Sequence, residues 1–341
     1  MTEDAPDLYR AIGGADTCLR LSAAFYARVD NEPSLRPLFP GKSKRCAVEA
    51  FAAFLAQFLG GPTEDARHRW WLSLRESHLR FKIGPAERAA WMRQLVLALD
   101  EVQIDEPFRT ALRELFEQSS AYLAHTESEC DTLHPELAWR WTAQRQLDDA
   151  VAAVRSGDAQ RAIALAEAST AHNRSLLAGL LAVMMGSRND AIQRYVHDKI
   201  SADPTIVQET YADRTLLHEA SANGILTLVE LLLSLGADPG ATDGGGHTPL
   251  YTVANECTTA EGASVVRALV ARGADVNAKG GVTRCTPLHM AARRGSVEIA
   301  QALLECGADL AARDTKGDTP LRRALNCKKP QVAAVLAARR G

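Results

Sequence analysis

Two short phrases recur at near-regular spacing through the second half of the chain, and this repetition restricts the fold more than any other feature. The first phrase begins at Thr215, Thr248, Thr286 and Thr319 and reads Thr-Leu-Leu-His, Thr-Pro-Leu-Tyr, Thr-Pro-Leu-His and Thr-Pro-Leu-Arg. The intervals between copies are 33, 38 and 33 residues. A second phrase, Gly-Ala-Asp, follows the first three copies at 236–238, 273–275 and 307–309. A period of this length indicates stacked units that bury their apolar faces against one another.

Each unit predicts a pair of helices. Thr caps the start of the first helix, Pro suits its first position, and Gly ends the second helix in a left-handed conformation. The two phrases in register resemble the ankyrin repeat from about residue 214 onward, which implies a helical solenoid that binds a protein partner. We expect His218 and His289 to hydrogen-bond neighbouring repeats. The extra residues of the 38-residue interval are expected within 255–264, between two helices.

Residues 148–213 lack the first phrase but still read as helix pairs, with Gly157, Gly186 and Gly224 at the expected turns. We interpret them as degenerate repeats, and 333–340 as a final capping helix. The polar, acidic segment TESECDTLHPE at 126–136 is typical of a linker. The sequence therefore predicts a first domain at 1–126, a linker at 127–147 and a repeat domain at 148–341, with its clear copies at 214–341.

Composition excludes several classes of protein. A length of 341 residues fits about two domains. The net charge of −3 gives no sign of a nucleic-acid partner, and no apolar run reaches the roughly 18 residues of a membrane-spanning helix. The acidic start MTEDAPDLYR is unlike a secretory leader, and the seven cysteines form no Cys-x-x-Cys pair. We expect a reduced, cytoplasmic protein with no membrane or nucleic-acid partner.

The first domain reads as helices at about 7–11, 17–31, 43–58, 86–101 and 106–125, so the whole chain is expected to be all-α. Five phrases occur in order: AIGGA at 11–15, FY at 25–26 ahead of LFP at 38–40, FLAQFLGGP at 54–62, LRESHLRFKI at 74–83 and AWM at 90–92. Together they resemble a truncated haemoglobin, and the tryptophan resembles group II of that family. The resemblance implies a two-over-two helical sandwich that binds haem b.

The resemblance also implies a site. His78 takes the place of the proximal iron ligand, since a neutral imidazole suits a haem iron. His68, ten residues earlier, is a candidate for a second ligand. Tyr26 and Trp91 take the places of donors to the bound gas, each worth about 1.5–3 kcal/mol. The remaining haem contacts implied by the resemblance are Phe39, Ala47, Phe51, Phe54, Leu55, Leu74, Phe81 and Ile83.

Two positions depart from the family's pattern. Basic residues that often pair with the haem propionates are replaced by Ala50 and Ser77. Arg75 is our first candidate for that role, with Arg80, Lys82, Lys44 and Arg45 nearby in the sequence. The unusual pair Trp70–Trp71 is expected either to cover the haem edge or to pack against the repeats.

Three functions remain open at this point. The first is reversible binding of O₂, CO or NO with no catalytic residue. The second is redox catalysis on the same iron, as a peroxidase or in NO detoxification, with a separate electron donor because no Gly-x-Gly-x-x-Gly phrase follows a strand. The third is a protein-binding scaffold in which the globin is regulatory. We combine the first and third, as a gas-binding haem module fused to an interaction module.

Overall fold

Helices make up nearly all of the regular structure in the computed structural model, which describes residues 8–39, 44–61, 73–126, 133–170, 174–211 and 213–339. A single hairpin within these ranges pairs β1 (Thr210–Tyr211) with β2 (Arg214–Thr215) in antiparallel register. The all-α prediction is confirmed. The helices are α1 (Leu8–Ala11), α2 (Gly14–Val29), α3 (Arg45–Phe58), α4 (Leu74–His78), α5 (Pro85–Val102), α6 (Phe108–Ala124), α7 (Pro135–Ser156), α8 (Ala159–Thr170), α9 (Arg174–Met185), α10 (Asp190–Ala202), α11 (Leu216–Asn223), α12 (Leu226–Ser234), α13 (Pro249–Glu256), α14 (Gly262–Ala271), α15 (Pro287–Arg294), α16 (Val297–Glu305), α17 (Pro320–Asn326) and α18 (Pro330–Ala338).

The chain forms two compact units that divide between Val151 and Ala152, inside α7. In the first unit, α2 packs against α3 and α5, and α5 packs against α6. The helices predicted from the sequence here differ from the observed ones by at most three residues at either end. The largest fully buried side chains in this unit belong to Leu8, Leu21, Phe25, Leu35, Leu55, Leu59, Leu95, Leu99, Leu112, Leu115, Phe116 and Leu137.

The first unit extends further than the domain boundary predicted at residue 126. The segment predicted as a linker, 127–147, is helical from Pro135 onward as the first part of α7. Leu137 and Trp141 on this helix are 0% and 5% exposed and belong to the hydrophobic core of the first unit. The prediction rested on the polar stretch at 126–136, whereas the apolar residues four positions apart after it form one face of a helix.

The second unit stacks helix pairs in two layers. One layer contains α11, α13, α15 and α17 packed in succession, and the other contains α12, α14, α16 and α18. The preceding pair continues both layers, because α9 packs on α11 and α10 packs on α12. The loop between α13 and α14 spans 257–261, five residues against two in the neighbouring repeats (224–225 and 295–296). This loop takes three of the five extra residues in the 38-residue interval.

Threonine caps and histidine bonds hold successive repeats together. Thr215 and Thr286 each cap their helix by accepting a bond from the backbone N–H three residues later. His218 Nε2 donates to the carbonyl of His247, and His289 Nε2 donates to the carbonyl of Asp318, both at 3.0 Å. Both carbonyls immediately precede the next repeat's capping threonine, so the predicted bonds between repeats are confirmed. Within the described ranges, no helix is long and apolar enough to cross a membrane.

Candidate functional site

His78 is the last residue of the five-residue helix α4, in the first unit. Ser73 starts this helix: its side-chain oxygen accepts a bond from the Glu76 N–H at 3.0 Å, as expected of an N-cap serine. Leu74 anchors the helix in the core and is 5% exposed. The imidazole of His78 is therefore held on a short helix with one capped end and one buried side chain.

The hydrogen bonds of His78 define its tautomer. Its Nδ1 atom lies 2.8 Å from the carbonyl oxygen of Leu74 and 2.8 Å from the Ser77 hydroxyl, which itself donates to the Leu74 carbonyl at 2.7 Å. A carbonyl can only accept, so the proton resides on Nδ1 and the lone pair resides on Nε2. Burial lowers the pKa of His78 below its ordinary value of 6.5. The ring is thus neutral at pH 7, with Nε2 able to bind a metal.

A continuous series of ring contacts connects His78 to α3. The ring centroids are 6.0 Å apart for His78 and Phe81, 5.8 Å for Phe81 and Phe39, and 5.4 Å for Phe39 and Tyr26. Tyr26 lies 6.3 Å from Phe51 on α3. Phe51 in turn lies 6.5 Å from Phe54 and 6.4 Å from Trp91. Seven of the residues named from the sequence are therefore brought together in one half-buried aromatic cluster.

Of the four remaining haem-contact candidates, two are buried in the core and two are half-buried outside it. Leu55 and Leu74 are buried members of the core. Ala47, on the first turn of α3, and Ile83, two residues before α5, are half-buried and do not belong to the core cluster of the described residues.

Tyr26 and Trp91 both have polar groups available in this cluster. Neither the Tyr26 hydroxyl nor the Trp91 indole N–H makes a hydrogen bond within the residues that the structure describes. Burial raises the pKa of Tyr26 to about 12, with the charge of Arg80 acting in the opposite direction. The phenol is therefore protonated at neutral pH and can donate a hydrogen bond to a ligand.

The basic side chains named from the sequence for the propionates differ in what they contact. The guanidinium of Arg75 stacks on the ring of Tyr122, on α6, at 4.2 Å. Arg80 stacks on Phe81 at 4.7 Å. Its positive charge opposes the rise in the pKa of Tyr26 that burial causes, and it adds to the lowering of the pKa of His78 by burial. Lys44 bonds to the Phe39 carbonyl at 2.9 Å and to Asp30 at 3.0 Å. Of Arg75, Arg80 and Lys44, only Arg80 stacks on a ring of the aromatic cluster, whereas Lys44 reaches the cluster through the backbone carbonyl of Phe39.

One polar residue next to α4 was not singled out by the sequence. Asp148, on α7, is 3% exposed and accepts bonds from the backbone N–H groups of Leu74 and Arg75. The sequence analysis placed Asp148 in the repeat domain, as the first residue of the range 148–341. The helical spacing of Leu137, Trp141 and Asp148 was the signal that could have placed it on the face that packs against the first unit. His68 and the pair Trp70–Trp71 lie outside the described residues.

Comparisons with known proteins agree with this arrangement. The family model for bacterial-like globin matches residues 7–125, and the model for ankyrin repeats matches 180–280 and 257–341. Group 2 truncated hemoglobin YjbI of Bacillus subtilis is 34% identical over 125 residues, which are 36% of this chain and 91% of that protein. The chain belongs to the bacterial-like globin family. Its second half consists of ankyrin repeats, an architecture of protein interaction.

Other relatives match a smaller part of their own length. Ankyrin repeat and SOCS box protein 16 of Homo sapiens is 37% identical over 128 residues, 36% of this chain and 27% of that protein. Protein PhlB of Serratia liquefaciens is 40% identical over 110 residues, 32% of this chain and 47% of that protein. The chain therefore spans less than half the length of these two relatives.

The residues present fit the haem that the globin family implies. His78 offers one unprotonated ring nitrogen, the aromatic series supplies apolar walls, and Tyr26 and Trp91 keep their donors available. Within the described residues, no group of three His, Cys, Asp or Glu side chains could hold a metal ion by itself. A single histidine together with the four nitrogens of a porphyrin satisfies an iron ion without such a group.

Proposed function

We propose that this globin binds haem b through Nε2 of His78 and takes up O₂, CO or NO. The hydrogen bonding of His78 carries the proposal, because the Nδ1 proton held by the Leu74 carbonyl leaves Nε2 as the ligand atom. Haem held there supplies an iron atom with one open coordination position. His78 would hold that iron, and the rings of the aromatic cluster would supply apolar contacts to the porphyrin.

Tyr26 and Trp91 would stabilise a gas molecule that acquires partial negative charge. The Tyr26 phenol stays protonated because burial raises its pKa to about 12. A hydrogen bond to a charged acceptor contributes about 1.5–3 kcal/mol, which corresponds to roughly ten- to a hundredfold in dissociation rate. Slow release of the gas would follow from these two donors.

Arg80 is the residue we assign to the haem propionates, in place of Arg75. Its guanidinium stacks on Phe81, and its charge reaches both His78 and Tyr26. Arg75 already stacks on Tyr122. An arginine in the position of Arg80 can pair with a carboxylate in bidentate fashion.

The repeats would bind a protein partner and make the chain a cytoplasmic gas-responsive adaptor. Stacked repeats present an extended surface suited to a protein. If the globin signals, a gas ligand must change the affinity for that partner by favouring one conformation. Equal partner affinity in the ligand-free, CO and O₂ forms would reject this coupling without affecting haem binding.

Absorption spectroscopy of the purified full chain with added haem tests gas binding. We expect a Soret band in the ferric and ferrous forms and a stable oxy spectrum after reduction and exposure to air. Trp91→Phe should release O₂ faster, whereas Trp139→Phe, at a 58% exposed position on α7, should not. Failure of the wild-type chain to retain haem, or immediate oxidation in air, would contradict the proposal.

A redox enzyme on the same haem is the second candidate. It is favoured by the two oxidisable rings of the cluster, since Tyr26 and Trp91 both contact Phe25, at centroid distances of 5.1 and 5.3 Å. Turnover of peroxide or NO well above that of free haem would support it. Turnover at the rate of free haem would leave gas binding as the function.

A further inference from the structure

Helix α7 completes the first unit although it lies beyond the segment that matches the globin family. That match ends at residue 125, and α7 begins at Pro135. Leu137 and Trp141 lie in the same core as the globin helices, and the Trp141 ring meets Tyr122 edge-on at 5.4 Å. The first half of α7 therefore packs against the globin core as a helix that lies beyond the family match.

Asp148 lies on the same helix and reaches the start of α4. Its Oδ1 accepts a bond from the Leu74 N–H at 2.7 Å and one from Gln144 Nε2 at 3.1 Å, and its Oδ2 accepts from the Arg75 N–H at 3.3 Å. Burial raises the pKa of Asp148, whereas the bonds from Gln144 and from the Leu74 N–H act in the opposite direction and stabilise the charged form. Asp148 thereby holds the helix that carries His78.

The peptide group between Leu74 and Arg75 connects Asp148 directly to His78. Its N–H donates to Asp148 Oδ2, and its carbonyl oxygen accepts the Nδ1 proton of His78. Hydrogen bonds arranged in such a series polarise one another, so a carboxylate at one end strengthens the bond at the other. The arrangement resembles the carboxylate–histidine pairs that orient metal ligands, with a peptide group inserted between the two.

We propose that Asp148 is a positioning residue for His78: through the Leu74–Arg75 peptide group it fixes the orientation of the imidazole and strengthens Nε2 as a ligand. This inference rests on the proposed haem binding by His78. It also makes α7, the helix in which the repeat unit begins, a structural part of the haem site.

Asp148→Asn in the full chain tests the inference. The amide keeps the shape of the side chain but removes the charge and one acceptor. We expect the iron–histidine stretching band of the ferrous protein to move to lower frequency in resonance Raman spectra. We also expect haem to transfer to an acceptor globin about tenfold faster than in the wild type, as is typical when a residue behind a metal ligand is changed.

Two further variants separate positioning from general stability. Asp149→Asn removes the same charge from the next residue of the helix, and we expect both readouts to stay at wild-type values. Asp148→Glu keeps the carboxylate but shifts it by one methylene, and we expect an intermediate band position. It also serves as the test if Asp148→Asn does not fold. In the haem-free chain, the backbone amides of Leu74 and Arg75 should exchange faster in Asp148→Asn than in the wild type, and at the wild-type rate in Asp149→Asn.

The outcomes distinguish the two proposals. A wild-type chain that binds haem, with an unchanged band and haem-transfer rate in Asp148→Asn and Asp148→Glu, overturns the role of Asp148 only. Equal shifts in Asp148→Asn and Asp149→Asn also overturn it, because a general charge effect would then explain the data. A wild-type chain that binds no haem overturns the proposed function and this inference with it.

Discussion

The proton on Nδ1 of His78 decides what this side chain can do. Because the Leu74 carbonyl accepts that proton, Nε2 keeps its lone pair, and burial keeps the ring neutral. His218 and His289 have the opposite arrangement, with Nε2 donating to a backbone carbonyl. The same side chain is thus a candidate ligand in one unit and a bond between repeats in the other.

The Tyr26 hydroxyl should control how fast a gas leaves the site. Tyr26→Phe removes the donor while keeping the ring that contacts Phe39 and Phe51. We expect O₂ dissociation to accelerate roughly ten- to a hundredfold, measured by stopped-flow mixing. Tyr195→Phe, on α10 of the repeat unit, serves as the matched control and should leave the rate unchanged. An unchanged rate in Tyr26→Phe would remove this residue from the ligand site.

The aromatic cluster could be predicted from the sequence, but the basic residue beside it could not. Phe39, Phe54 and Phe81 belong to phrases whose order resembles a known family, and a short, rigid aromatic side chain can point in few directions from its backbone position. Arg75 and Arg80 are long and flexible, and both lie within three residues of His78. Only the packing decides which of them stacks on Phe81, because either side chain can extend over several ångströms of apolar surface.

Helix caps explain why the elements of the repeat unit were largely predictable. Thr followed by Pro begins α13, α15 and α17 at the expected residues, since the cap and the first-turn proline both act locally. Helix α7 was harder to assign because its N-terminal stretch is polar and its apolar face packs on distant parts of the chain. A contact such as Leu74 to Asp148, 74 residues apart, leaves no local signal in the sequence.

The bonds between repeats should make the repeat unit sensitive to acid. Burial lowers the pKa of His218 and His289 below the ordinary value of 6.5 that they regain on unfolding. As pH falls through 6.5, the unfolded chain takes up protons that the folded chain does not, so the free energy of unfolding decreases. We expect the protection of amides in α11 and α15, corrected for the intrinsic exchange rate at each pH, to decrease as the pH is lowered from 7.5 to 5.5, measured by hydrogen exchange and mass spectrometry.

His289→Gln provides the variant for this test. At pH 7.5 it should lower the free energy of unfolding by about 1–3 kcal/mol, because a buried hydrogen-bond partner is lost, and the corrected amide protection of α15 should depend less on pH. His197→Gln, at an exposed position on α10, should change neither property. An identical pH dependence in wild type and His289→Gln would show that this histidine is not the sensitive group.

On the scale of the whole molecule, the boundary between the two units falls within a single helix. Val151 belongs to the first unit and Ala152 to the second, and α7 runs unbroken through both. A boundary placed at residue 126 removes Leu137, Trp141 and Asp148 from the globin. The globin of this chain is therefore larger than its family match.

Fragments of different length should reveal this boundary. A fragment of residues 1–156 should be more stable than one of residues 1–126 by at least about 3 kcal/mol, because each of two buried apolar side chains contributes about 1.5–3 kcal/mol. Chemical unfolding followed by circular dichroism measures the difference. Trp141→Ala in the fragment 1–156 should remove a large part of this difference in the free energy of unfolding. Equal stability of the two fragments would place α7 outside the globin.

The spectrum of His78→Gly in the full chain, with and without added imidazole, tests the central assignment most directly. If His78 is the ligand, the variant retains little haem, and free imidazole restores a ferrous spectrum close to that of the wild type. His68→Gly, at the candidate second ligand named from the sequence, should behave as the wild type does. Full haem retention with an unchanged spectrum in His78→Gly without imidazole would contradict the account.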